Sequence, residues 1–396
     1  MTMQITEKPS PERQLVLISA ATAARRWELA ATAHSLGGEV DWAFLTEVLR
    51  IRKLLPVLGP RLVELAADAA PDSFTADVAD AVEAARRQGS FLQLTGQQAM
   101  AMLTAAGIRS AALKGPQFSE AIYGDPGRRI SSDIDLLVAA EDLQAAVEVV
   151  RELGYGAPAD PIAADGLPRL HFALGHVSGA LPPIELHWRV HWYEGRFAAE
   201  RLLCPPEADP AAWRPTPADE LASLLLFYAR DGFVDLRLAA DIAAWWDKHG
   251  NELRRDDFEL LLDSYPALAR VLPTAAVVAE RVVGVPAESV TAQSGRLDRR
   301  QRLAARLANP HPRQSQSQIY ADRGLVDGLL GPRGSFRSFV RRQLLPPREV
   351  LVQHAGHAER EKVRSSLGRL FGVLGRYGIS LARLLRPVET LPRTSA

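Results

Sequence analysis

Ser132-Asp133-Ile134-Asp135-Leu136-Leu137-Val138 is an apolar run broken by two carboxylates, and its character is that of a β-strand. On a strand, residues two apart share a face, so Asp133 and Asp135 point the same way while Ile134 and Leu136 enter a core. Their Cα atoms are then roughly 6.5–7 Å apart. That spacing suits two solvent-facing carboxylates gripping a pair of Mg²⁺ ions about 3.5–4 Å apart. Mg²⁺ takes hard oxygen ligands, commonly one or two carboxylates plus substrate phosphates.

Asp-x-Asp by itself is common and weak; its neighbours give it weight. Upstream, the apolar segment Ile108–Leu113 closes on Lys114-Gly115, where the backbone can approach a phosphate. Downstream, Pro183 is followed by a strict alternation. Ile184, Leu186, Trp188 and Val190 fall on one face, and Glu185, His187, Arg189 and His191 on the other. A strand of this kind beside the first supplies Glu185 as a third carboxylate. Strand, glycine turn, Asp-x-Asp strand and acidic strand make a phosphoryl-transfer layout.

Leu113-Lys114-Gly115, Tyr123, Arg129, Asp133-Ile134-Asp135-Leu136-Leu137-Val138, Gly154-Tyr155 and Glu185-Leu186-His187-Trp188 resemble the uncharacterised nucleotidyltransferase family of the DNA polymerase beta-like superfamily. Weaker similarity extends to Asp41-Trp42 and to Pro346-Pro347-Arg348. The resemblance implies a nucleotidyltransferase fold and dependence on a divalent metal, Mg²⁺ or Mn²⁺. Asp133, Asp135 and Glu185 are its expected metal-binding and catalytic carboxylates. Lys114, Gly115 and Arg129 are its expected nucleotide-phosphate contacts. One departure stands out: the superfamily's Gly-Ser pair is Gly115-Pro116 here, which removes a hydroxyl and a backbone N–H. Lys114 and Arg129 are placed to compensate, Arg as a bidentate fork and Lys as a point charge. The expected activity is transfer of a nucleoside monophosphate from an NTP to a hydroxyl on a small molecule, a protein or an RNA, with release of pyrophosphate. The alternative is a catalytically inactive nucleotide-binding protein that keeps the fold.

The 396 residues are 47% hydrophobic and 24% charged, with no net formal charge, as in ordinary globular proteins. The charge is uneven, with 20 Arg or Lys against 7 Asp or Glu from Arg296 to Ala396. This basic stretch is open to nucleic acid, but few aromatics interleave with it, so a solvated helical face is the favoured reading. The single cysteine, Cys204, excludes an internal disulfide and any Cys-based metal site. No apolar run reaches the ~20 residues of a membrane span. Leu15–Ala24 faintly resembles a signal-peptide core. Glu7 and Glu12 offset the basic charge before it, and helical patterning runs on through Trp27 and Leu29, so a cytoplasmic location is expected.

Taken in order, the chain reads as α+β, a small mixed-sheet core between mainly helical N- and C-terminal regions: 1–105 helical, 106–200 the nucleotidyltransferase core, 201–396 helical with the Arg-rich segment. Residues 1–12 read as a disordered lead-in, 80–103 and 141–153 as helices, 171–177 as a strand, 309–318 as a linker and 366–385 as a last helix. His187 shares the face of Glu185 and is either its orienter or a structural histidine. Asp235 and Asp241 do not share a helical face and are not read as a metal pair. Trp245-Trp246 reads as core. His354 and His357 lack a third ligand. Every candidate phosphate or metal residue precedes position 200, so the region from Arg296 onward is expected to be dispensable for NTP binding.

Overall fold

The computed structural model describes residues 10–156, 170–192, 194–209, 213–308 and 316–332, with a few positions beyond them. Its centre is one sheet of four short strands, β1 (Ser110–Ala112), β2 (Ile134–Val138), β3 (His171–Leu174) and β4 (Ile184–His187), in the order β1-β2-β4-β3. β2 and β4 run parallel, and each carries an antiparallel strand on its outer side. The sheet is therefore mixed.

The register decides what each face carries. Asp135 lies opposite Glu185 and Leu137 opposite His187, while His187 in turn lies opposite His171 on the edge strand. The period of two then turns Ile134, Leu136, Val138, Ile184, Leu186 and Leu174 to the other face. There they pack with Leu92, Ala99 and Leu103 of α6 (Asp72–Ala105) and Val147 and Val150 of α8 (Leu143–Glu152). Each large apolar side chain buried this way stabilises the fold by about 1.5–3 kcal/mol relative to exposure.

Five helices precede α6: α1 (Pro11–Ala20), α2 (Ala23–Glu28), α3 (Ala30–Gly37), α4 (Trp42–Ile51) and α5 (Leu55–Leu65). Asp41 caps α4 by accepting the Phe44 N–H. Between β1 and β2 lies α7 (Pro116–Tyr123), begun by Pro116 at its first position and ended by Gly124 in the left-handed conformation. After the sheet come α9 (Pro217–Arg230), α10 (Leu236–His249), α11 (Arg255–Ser264), α12 (Val271–Val283), α13 (Ala287–Val290), α14 (Arg299–Leu307) and α15 (Gln316–Leu330). Thr216 and Asp219 form a reciprocal capping box that sets the start of α9.

The early and late helices share one core. Leu15, Ile18, Leu45 and Leu58 belong to the same cluster as Phe227, Trp245, Val278 and Val326, and the Thr22 N–H donates to the Val283 carbonyl at 2.9 Å. The apolar Leu15–Ala20 run is thus a core helix. Trp245 is buried as expected, and Trp246 packs half-buried against the same cluster. Among the described residues no helix is long and apolar enough to cross a membrane.

The α+β reading holds, with small differences. The first strand is shorter than 108–113, β3 ends at Leu174, and the 80–103 helix begins earlier, at Asp72. Helix α1 starts at Pro11, inside the expected lead-in, and Gln316 already belongs to α15. His354, His357, most of the Arg-rich stretch and most of the 366–385 helix lie outside the described residues.

Candidate active site

The loop from Asp125 to Asp133 carries the first carboxylate into place, and four helices hold it. Asp125 accepts the Gly127 N–H at 2.9 Å and pairs with Arg86 of α6, also at 2.9 Å. Ser119 of α7 donates its hydroxyl to the Asp125 carbonyl at 2.7 Å and accepts the Arg129 N–H at 2.9 Å. Arg128 donates to the Pro56 carbonyl of α5 at 3.3 Å. From α10, Asp241 accepts from Arg129 Nε at 2.6 Å, and Arg237 donates to the Ile130 carbonyl at 2.8 Å. The loop also crosses α6 without side chains between: a Cβ on Gly127 would meet the Ala85 carbonyl oxygen at 2.2 Å, and one on Gly89 the Pro126 oxygen at 2.5 Å.

Asp133 sits in the bend just before β2, because the strand's first bond is made by the Ile134 N–H to the Pro183 carbonyl at 3.0 Å. It is half-buried. Asp135 departs further from expectation: the sequence reading makes it solvent-facing, and it is 2% exposed. Its Oδ1 receives Lys114 Nζ at 3.2 Å and His187 Nε2 at 2.9 Å. His187, itself fully buried, also lies 3.3 Å from Glu185 Oε2, and His171 Nε2 lies 3.6 Å from the same oxygen.

These contacts separate the carboxylates electrostatically. Burial, and then the Asp135 charge beside it, holds the Asp133 carboxyl above its usual range, with Lys114 pulling the other way. Burial also works against an ionised Asp135, but Lys114 and the hydrogen bond from His187 outweigh it and keep this carboxyl well below the usual range. Glu185 is lowered likewise, His187 and His171 overcoming burial. His171 is pushed down to about 4 by burial and by His187 across the strand pair.

Lys114 and Gly115 lie where the sequence puts them, at the end of β1. Gly115 needs its glycine, since its φ of 95° lies in the left-handed half of the map. Arg129 is different. It is 4% exposed and its guanidinium pairs with Asp241 and donates to Ser131 Oγ at 3.0 Å. Burial alone would lower it, yet Asp241 holds it above its ordinary value. Tyr123 donates to the other oxygen of Asp241 at 2.8 Å, so two of the motif residues converge on one carboxylate. Sequence reasoning weighed Asp241 only as half of a metal pair and set it aside; its signal as an anchor was no more than a charge among the apolar residues of a buried helix.

Asp133 and Asp135 open onto a cleft of about 380 Å³. Three parts of the chain wall it. Arg52, Lys53 and Leu54 come from the α4–α5 turn, Lys114, Arg129, Ser131 and Ser132 from the core, and Asp231, Asp235, Arg237, Ile319 and Arg323 from the later helices. Lys53 holds a left-handed backbone, φ 56°, uncommon for a residue with a side chain. The cleft therefore includes wall residues beyond position 296, which the sequence reading placed outside any nucleotide contact.

Behind the site, burial and the nearby Arg230 charge depress His191 to about 3. Because the unfolded value is near 6.5, the unfolded chain binds more protons in acid. The stability this neutral histidine provides is complete above about pH 6.5 and is lost as pH falls toward 3. Denaturant melts across that window should show a slope approaching ~1.4 kcal/mol per pH unit from this group, reduced in His191→Gln. An unchanged slope in the variant would assign the acid lability elsewhere.

A family model described as uncharacterised nucleotidyltransferase matches residues 38–282, the span that holds the sheet, all three carboxylates and most of the cleft wall. No curated protein and no solved structure matches the chain. The match covers well over half of the sequence and coincides with the structural core, so the chain belongs to the uncharacterised nucleotidyltransferase family, whose name carries nucleotidyl transfer as its general function.

Proposed function

We propose that the protein moves a nucleoside monophosphate from an NTP to a hydroxyl acceptor, with Asp133, Asp135 and Glu185 as its metal-binding carboxylates. The observation that carries this is the register of Asp135 against Glu185 on adjacent parallel strands, with Asp133 in the bend before β2 and both aspartates lining a cleft whose wall mixes Lys and Arg with Asp231 and Asp235. Two of the three carboxylates are kept ionised, as a hard divalent ion requires. Among the described residues only His171, Glu185 and His187 converge within reach of one ion, so Asp133 and Asp135 would share theirs with substrate phosphates. Mg²⁺ or Mn²⁺ bound there would lower the pKa of the acceptor hydroxyl and neutralise charge on the phosphates.

The chain's own groups supply positioning and charge. The acceptor oxygen attacks the α-phosphorus, the bond to the bridging oxygen breaks, and pyrophosphate leaves. Lys114 and the α4–α5 turn residue Lys53 present positive charge to the leaving phosphates. The hydroxyl missing at Pro116 has a substitute close by. A Cβ on Gly115 would lie 3.8 Å from Ser131 Oγ, and Ser131 and Ser132 both line the cleft. Arg129 acts through the loop, holding Asp133 in place rather than gripping phosphate. The ionised Glu185 accepts the hydrogen bond of the attacking hydroxyl and receives its proton.

Incubating cell extract with the protein and each α-labelled NTP tests the reading, the labelled species naming nucleotide and acceptor class together. Tight NTP binding without pyrophosphate release across small-molecule, protein and RNA acceptors would instead favour the inactive alternative. Glu185→Gln is expected to cut kcat by about 10²-fold or more while leaving metal–NTP affinity within a few-fold, because the lost group acts on charge that develops in the transition state. Steady-state kinetics paired with direct NTP binding decides it; wild-type turnover would remove Glu185 from the site.

A further inference from the structure

One group of side chains is only half used by that reading. His171, Glu185 and His187 bring Nε2, a carboxylate oxygen and Nε2 within 4.8 Å of one another, and among the described residues they are the group of three such side chains arranged to hold a metal ion. Asp135 joins them through His187. The individual separations are 2.9 Å from His187 Nε2 to Asp135, 3.3 Å from His187 Nε2 to Glu185, and 3.6 Å from His171 Nε2 to Glu185. Ligand atoms around an ion with bonds near 2.1 Å are about 3.0 Å apart at the cis edges of an octahedron and about 3.4 Å apart in a tetrahedron. The three separations along the chain of contacts Asp135, His187, Glu185, His171 lie close to these edge lengths.

The orientation of the rings is the second observation. Nδ1 of both His171 and His187 is buried without a hydrogen-bond partner, so every polar contact of either ring is made through Nε2, toward the carboxylates. Backbone pairing enforces this convergence: His171 faces His187 across β3 and β4, and their ring centroids are 4.7 Å apart. The charge balance also admits a cation. Three cations act on Asp133, Asp135 and Glu185, namely Lys114, Arg129 and Arg230, but Arg129 is paired with Asp241, which leaves the three carboxylates facing two.

We infer that the acceptor side of the site holds a divalent transition ion through His171 Nε2, His187 Nε2, Glu185 and Asp135, distinct from an all-oxygen position at Asp133 and Asp135 that suits the nucleotide's Mg²⁺. This rests on the nucleotidyl-transfer reading above and refines its metal. Imidazole nitrogen favours Mn²⁺, Fe²⁺, Co²⁺ or Zn²⁺ over Mg²⁺, and four protein donors leave two octahedral positions for substrate oxygens. With all-oxygen and mixed nitrogen–oxygen positions side by side, the two ions are chemically sorted rather than interchangeable.

The test is Mn²⁺ titration of the full chain without nucleotide, followed by pulsed EPR of the bound ion. Nitrogen couplings from two imidazoles are expected in the wild type and from one in His171→Ala. His171 lies on an edge strand and is part-exposed, so its replacement spares the core. The same variant should bind Mn²⁺ about 10–100-fold more weakly while Mg²⁺–NTP affinity stays unchanged. His187→Gln, which keeps a donor toward Asp135, should likewise remove one coupling. Bound Mn²⁺ with no nitrogen coupling, or His171→Ala binding Mn²⁺ like the wild type, overturns the inference and returns both rings to hydrogen-bonded positioning of carboxylates. Either result alongside intact nucleotidyl transfer would leave the broader reading standing. Failure to bind any divalent ion, with or without NTP, would remove both.

Discussion

Asp133→Asn and Asp135→Asn are both expected to lower nucleotidyl transfer by roughly 10²–10³-fold or more, and to part company in a denaturant melt. Asp135 is 2% exposed and accepts from Lys114 and His187. An asparagine there leaves the ammonium of Lys114 without its counter-charge in a largely dry place. Breaking a buried pair costs about 3–5 kcal/mol; because Lys114 keeps some contact with water, about 2–4 kcal/mol is expected. Asp133 has the opposite standing. Burial and the Asp135 charge already disfavour its ionised form, so neutralising it relieves repulsion, and the variant should be as stable as the wild type or slightly more so. Equal stabilities for the two variants would contradict the burial asymmetry. Wild-type turnover in either would remove that residue from the metal site.

The second large effect is expected far from the chemistry. Asp241 is fully buried and holds both Arg129 and Tyr123. Asp241→Ala strands a buried guanidinium and should cost about 3–5 kcal/mol. The pair Arg129→Met with Asp241→Leu should recover most of that, since well-packed apolar replacements of buried ion pairs are often neutral or better. Activity is expected to follow a different course. Arg129 ties the Asp133 loop to α10, so the apolar double variant should fold well and still turn over poorly, with kcat reduced more than NTP affinity. Stability within about 1 kcal/mol of wild type for Asp241→Ala would show that the other anchors suffice.

The sheet and its carboxylates are legible in the sequence because period-two alternation acts over four to eight residues, and β2 and β4 are short enough to show it whole. Alternation also places Glu185 and Asp135 on one face before any coordinates exist. The burial of Asp135 is not legible in this way. It comes from Lys114 and from the packing of later helices over that face of the sheet, which no local pattern encodes. Arg129 illustrates the same limit: beside an Asp-x-Asp motif an arginine reads as a phosphate ligand, and nothing local announces that its carboxylate partner is 112 residues away on α10. The cleft wall is scattered for the same reason, with Arg52 and Arg323 reaching it from opposite ends of the sequence. His171 opens an isolated four-residue strand, and only pairing with β4 makes it part of the site.

The parallel pairing of β2 with β4 also sets when, during synthesis, the site can come into being. Asp135 and His187 are 52 residues apart in the chain and meet only through that pairing. A ribosome that has released β2 has released two carboxylates with no third partner and no strand to fix them. At elongation rates of about 5–20 residues per second, several seconds pass before β4 follows, and parallel pairing across such a separation is slow to close. Covering that face takes longer still, since α9, whose Phe227 ring lies under Lys114 and whose Arg230 acts on Asp135, is made after β4. On the proposed metal reading, the emerging chain would expose its acidic strand to free divalent ions without the geometry to hold them, and ion capture would be a late event that reports completion of the helical shell.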